Sequence, residues 1–156
     1  MIRALIISLS AILPAVSHAQ IPGIEAEAVI EELMYKAQGS QDEAFQASSD
    51  LTSCSAYFDV FAAHELSKPT PDMDAVAGLQ TMTKDTAVVA TLIWSQHSTD
   101  PSGDIEEMTG SARLDERARL NALGGPINVA FLQRYDVCSQ MFLFSQFFMG
   151  TAQDQL

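Results

Sequence analysis

A chain of 156 residues with 47% hydrophobic and 18% charged residues has the length and apolar content of one folded domain, not of a disordered segment. Its formal net charge of −12 argues against nucleic acid or an anionic membrane as partner. The acid lies mostly at the front, where Glu25 to Asp74 holds 11 carboxylates against Lys36 and Lys68, while four of the five basic residues after that point, Arg113, Arg117, Arg119 and Arg134, sit between 113 and 134.

Taken in order, residues 1–19 read as a secretory signal peptide. Arg3 precedes an apolar run from Ala4 to Leu13, Pro14 follows, and Ser17 and Ala19 supply the small residues of a cleavage site before Gln20. The run is shorter than the roughly 20 residues that cross a bilayer, and no cysteine follows the cleavage point to carry a lipid. The expected product is a helical domain of residues 20–156, periplasmic or secreted, with no membrane anchor.

Glu25 to Gln38 has the pattern of an acidic amphipathic helix with Val29, Leu33 and Met34 inward and Gly39 as its stop. Ser40 followed by Glu43 is a capping box, so a second helix starts there. It should run to about Ser67, bury Leu51, Cys54, Phe58 and Phe61, and end at Pro69. Thr70 and Pro71 open a third helix with Asp72 and Asp74 in its first turn. Val76, Leu79, Met82, Val89 and Ile93 form one apolar side and Ala87, Ala90 and Trp94 another, and the helix should end near His97. Ser98 to Gly103 has turn composition. A weaker fourth helix is expected over 104–123, bent or split at Gly110, with Ile105, Met108 and Ala112 inward before the glycine and Leu114 and Ala118 after it.

Gly124, Gly125 and Pro126 mark a stop and restart. The stretch from Pro126 to Gly150 then reads as the most buried helix. Its apolar residues follow two seams, Ile127, Phe131, Cys138, Phe142 and Met149 on one and Val137, Met141, Phe144 and Phe148 on the other. Trp94 and Ile93 of the third helix are placed to cover the second seam, and Arg134 and Asp136 are expected on the exposed side. Residues 151–156 form a polar tail. No window alternates as a strand does, so the expected fold is all-α: a single-domain bundle of about five helices.

Cys54 and Cys138 are the only cysteines. Both fall on inward seams of an exported chain, which predicts a structural disulfide between two helices and not a redox pair, since redox cysteines come as CxxC beside an electropositive helix start.

Candidate chemistry is sparse. His64 and Glu65 form the only adjacent His and carboxylate pair, but a zincin needs a second histidine at 68, where Lys68 stands, and no glutamate lies three residues before a histidine as in di-iron bundles. The missing CxxCH excludes covalent haem; a His/Met haem site, or a metal or enzyme site built from His64 and His97 with Asp100, is the alternative reading. No GxSxG, SxxK or phosphate loop is present. Arg113, Arg117 and Arg119 lie among Asp115 and Glu116, which suits a salt-bridged face better than an anion grip. The expectation is therefore a non-enzymatic interaction protein: an envelope accessory, inhibitor, immunity-type protein or chaperone. No catalytic residue, metal ligand or cofactor is assigned. Its partner is a protein or a second copy, met through whichever phenylalanines of the last helix stay uncovered.

Overall fold

The computed structural model describes residues 23–124 and 129–153. The signal segment, the cleavage point at Gln20, and Gly125, Pro126 and Ile127 lie outside the described residues. Those described form five helices and no strand: α1 (Gly23–Ala37), α2 (Gln41–Leu66), α3 (Met73–Trp94), α4 (Pro101–Ala122) and α5 (Val129–Gln153).

The capping box at the start of α2 is present as the sequence requires. Ser40 N–H donates to Glu43 Oε2 at 2.7 Å, and Glu43 N–H reaches Ser40 Oγ at 3.4 Å. Three other boundaries differ from expectation for local reasons. Asp72, not Thr70, caps α3: its carboxylate accepts from Asp74 N–H and Ala75 N–H, both at 3.0 Å, and leaves Pro71 before the helix. Likewise α4 starts three residues early, because Asp100 accepts from Gly103 N–H at 3.1 Å and Pro101 takes the first helical position. A Cβ at Gly103 would collide with the Asp100 carboxylate, which is why a glycine stands in that first turn. Gly124, with φ of 73°, ends the run after Leu123. The expected polar tail from Thr151 is instead helical as far as Gln153.

The helix at the centre is α2, not the last one. It packs extensively on α3 and α4, and also on α5 and α1. Small residues make this possible. Ala44, Ala47, Ser48, Ser55 and Ala56 are all buried along it and let neighbouring backbones come close. At two places the approach is near enough for a hydroxyl of α2 to bond a main-chain carbonyl of α3: Ser48 Oγ to Ala90 O at 3.2 Å and Ser55 Oγ to Thr83 O at 2.9 Å. Other buried serine and threonine hydroxyls are satisfied within their own helices, one turn back: Thr52 to Ser48 O, Thr86 to Met82 O, Thr109 to Ile105 O and Ser145 to Met141 O.

The core has two layers. One gathers Leu33, Ala47, Leu51, Val89, Ile93, Trp94, Ile105 and Phe144, drawing on all five helices. The other gathers Cys54, Tyr57, Phe58, Leu79, Leu120 and Cys138, with Tyr135 edge-on to Phe58 at 6.2 Å. The pairings run α3 and α5 antiparallel to α2. As expected, Phe144 lies against Val89, Ile93 and Trp94.

Two facing assignments are corrected. Leu114 is 68% exposed and Ala118 is exposed, while Glu116 and Leu120 are buried. The helix passes through Gly110 without a break, so the inward seam continues straight through Ile105, Thr109, Glu116 and Leu120 at helical spacing and does not shift as a kink would make it. In α5, Val137 is exposed, and Phe142 and Met149 are half-buried where full burial was expected. The side chain of Phe131 is outside the described set.

Candidate functional site

The predicted disulfide is present. Cys54 and Cys138 have α-carbons 5.1 Å apart and join the middle of α2 to α5 across 84 residues of chain. Both are buried.

The histidines of the alternative reading are not brought together. His64 lies in the last turn of α2, beside the start of α3, where Glu65 accepts from Asp72 N–H at 3.4 Å and pairs with Lys68. His97 follows the far end of α3 and tilts against Trp94, ring centroids 5.8 Å apart. Because α3 rises about 1.5 Å per residue, the two imidazoles sit at opposite ends of the bundle, roughly 30 Å apart. Asp100 is occupied as the cap of α4. Among the described residues, no group of three or more His, Cys, Asp or Glu is placed to hold a metal ion.

The arginines divide. Arg113 Nε lies 2.8 Å from Asp59 Oδ2, bridging α4 to α2, and Arg119 approaches Glu116 at 3.9 Å. Arg134, expected in solvent, is instead three-quarters buried. Its Nε donates to Glu116 Oε1 at 2.6 Å and its Nη2 to Ser53 Oγ at 2.5 Å, so one side chain of α5 ties together α4 and α2. The signal was available in the spacing: Arg134 precedes Cys138 by four residues and shares its seam, as Glu116 does with Leu120.

This ion cluster is structural in character. Glu116 Oε2 is buried with no hydrogen-bond partner among the described residues, so removal of the arginine would strand the carboxylate. Arg134→Ala should cost about 2–3 kcal/mol in a urea melt, less than for a fully buried pair because the guanidinium is partly solvated. A change under about 0.5 kcal/mol would show that the pair is solvated and idle. Nearby, burial first and Tyr135 second push the Tyr57 phenol well above its usual value, and burial raises Tyr135 as well. Neither phenol is a nucleophile at physiological pH.

Two surface features remain. One is a solvent-open groove of about 400 Å³ lined by Phe45, Trp94, Asp104, Glu107, Met108 and Ser111. The Trp94 indole donates to Asp104 Oδ2 at 2.7 Å and Ser98 Oγ to the same oxygen at 2.5 Å. Those bonds, Ser98 first and Trp94 second, hold the Asp104 carboxyl below its usual value. What they add to stability is present at neutral pH and is lost as the pH falls through that lowered value.

The other feature is the outer seam of α3 and α5, closed by Gln146 Nε2 donating to Asp85 Oδ2 at 2.6 Å. Leu143 and Phe147, on either side of Gln146, are 51% and 47% exposed, and Val88 and Leu92, on the Asp85 face of α3, 39% and 45%.

No protein family, curated protein or solved structure matches the chain.

Proposed function

We propose that this is an exported helical protein that acts by binding another protein, or a second copy of itself, through the α3 and α5 seam. The observation that carries the reading is the exposure of Leu143 and Phe147 on α5 beside Val88 and Leu92 on α3, four large apolar side chains left in water along one helix pair. The disulfide is in keeping with an oxidising compartment. No helix among the described residues is long and apolar enough to cross a membrane. Within this reading, an envelope accessory, inhibitor, immunity-type protein and chaperone all act through such a surface.

Site-specific photocrosslinking tests it. A photoreactive residue at Phe147 should give a discrete adduct of higher mass in the producing cells. The same group at Tyr35, which is 70% exposed on α1, should not. Leu143→Glu should abolish the Phe147 adduct while changing stability by less than about 0.5 kcal/mol, as for other exposed positions. Equal crosslinking from both positions, or none from either, would remove the seam as the binding surface.

A further inference from the structure

The groove beside Trp94 lies on a different part of the bundle from the α3 and α5 seam, and its chemistry is more specific. Around α2, neighbours are in extensive contact in the order α4, α3, α5, α1, while α1 and α4 share no extensive contact. Phe45 of α2, 47% exposed, lines the groove together with Trp94 of α3 and residues from the first half of α4. Its ring meets Trp94 edge to face, with centroids 5.5 Å apart and planes at 67°. Met108 adds a polarizable wall. Among the described residues nothing cationic lines the groove. Its charged groups are the carboxylates of Asp104 and Glu107, the first fixed in place by the indole and by Ser98, and Asp42 stands one turn before Phe45 on the same face of α2.

From this complementarity we infer that the groove is a docking site for a basic side chain, an arginine or lysine carried by a segment of a partner protein. Its alkyl stem would lie along Phe45 and Met108, and its charged head between Asp104 and Glu107, close to the aromatic rings. Such a site supplies both halves of an amphipathic cation's needs: apolar cover for the stem and a preset anion for the head. A volume of about 400 Å³ is at the small end of ligand pockets, suited to a side chain or two and not to a large cofactor. A second copy of this chain is a poor occupant. Each copy carries a formal charge of −12, so two copies repel each other at an acidic groove.

Trp94 is the only tryptophan and lines this groove, so tryptophan emission, excited apart from tyrosine, reports from the groove wall. Titration of the whole, oxidised protein with a hexa-arginine peptide should give a saturable change in Trp94 emission that weakens with added salt, and hexaglutamate should give none. Glu107→Gln and Phe45→Ala should each weaken binding by about 3- to 10-fold, as loss of one charged or cation–π contact does. Asp74→Asn, an exposed acid at the far end of α3, should leave affinity within about twofold, because it shares the net charge and not the groove. If Asp74→Asn weakens binding as much as Glu107→Gln, the peptide is attracted only by overall charge and the site is refuted. An absence of any saturable change refutes it as well. Neither result bears on crosslinking from Phe147.

Discussion

Replacing Cys54 and Cys138 together by alanine should lower the unfolding free energy by about 4.5 kcal/mol. The reasoning rests on the span of the link. A bond across 84 residues removes more freedom from the unfolded chain than a short loop does, and the chain-entropy relation gives that figure for a loop of this size. Set against the 5–15 kcal/mol typical of a whole domain, about 4.5 kcal/mol is enough to put the variant near the edge of folding at 37 °C. Urea melts of the oxidised protein, the reduced protein and the double variant test it. Reduced protein and double variant should agree within about 1 kcal/mol, since both lose the same constraint. A loss below about 1 kcal/mol would mean that the unlinked chain is already held compact by its remaining contacts.

The second large effect should come from Phe144→Ala, at about 3–5 kcal/mol. Phe144 is fully buried in the layer where α1, α2, α3, α4 and α5 converge, with Phe148 tilted against it at 5.7 Å. Truncation would open a cavity bordered by Leu51, Val89 and Ile93, which sit on helices already close-packed through small residues and have little room to collapse inward. Phe142→Ala, at a half-buried position, should cost clearly less, about 1–2 kcal/mol by the area it removes from contact. Denaturant midpoints at equal slopes provide the comparison. If the two cost the same, the difference in burial described between these α5 positions does not hold.

How far the sequence disclosed this protein differs from residue to residue. The five helices, the Ser40 and Glu43 box and the link between Cys54 and Cys138 are local or covalent matters, and spacing reveals them. The cover of Phe144 by Ile93 and Trp94 was legible too, because aromatic bulk needs a partner of matching size. What was not legible is that α2 stands at the centre. Its buried positions are mostly alanine, serine and threonine, which score as weakly apolar, whereas the phenylalanines of α5 dominate any hydropathy pattern. Burial here follows how closely two backbones approach, and small residues set that distance. Arg134 and Glu116 were misplaced for a related reason: composition treats a charge as a surface residue, and only its place on a seam reveals a buried pair. The groove at Phe45 and Trp94 joins residues 49 apart in the chain, and no local pattern connects them.

With a single pair of thiols, the chain has no wrong intramolecular bond to make. Oxidation therefore needs no shuffling enzyme to sort partners, only an oxidant, and its one faulty product is a bridge between two molecules. The order of synthesis adds a delay. Cys54 leaves the ribosome 84 residues before Cys138, and at about 5–20 residues per second it waits several seconds or more as an unpaired thiol. During that interval α2 and α3 are already available to pack on each other and draw Cys54 into their interface. The bond then requires α5 to reach α2, since Cys138 lies within that last helix.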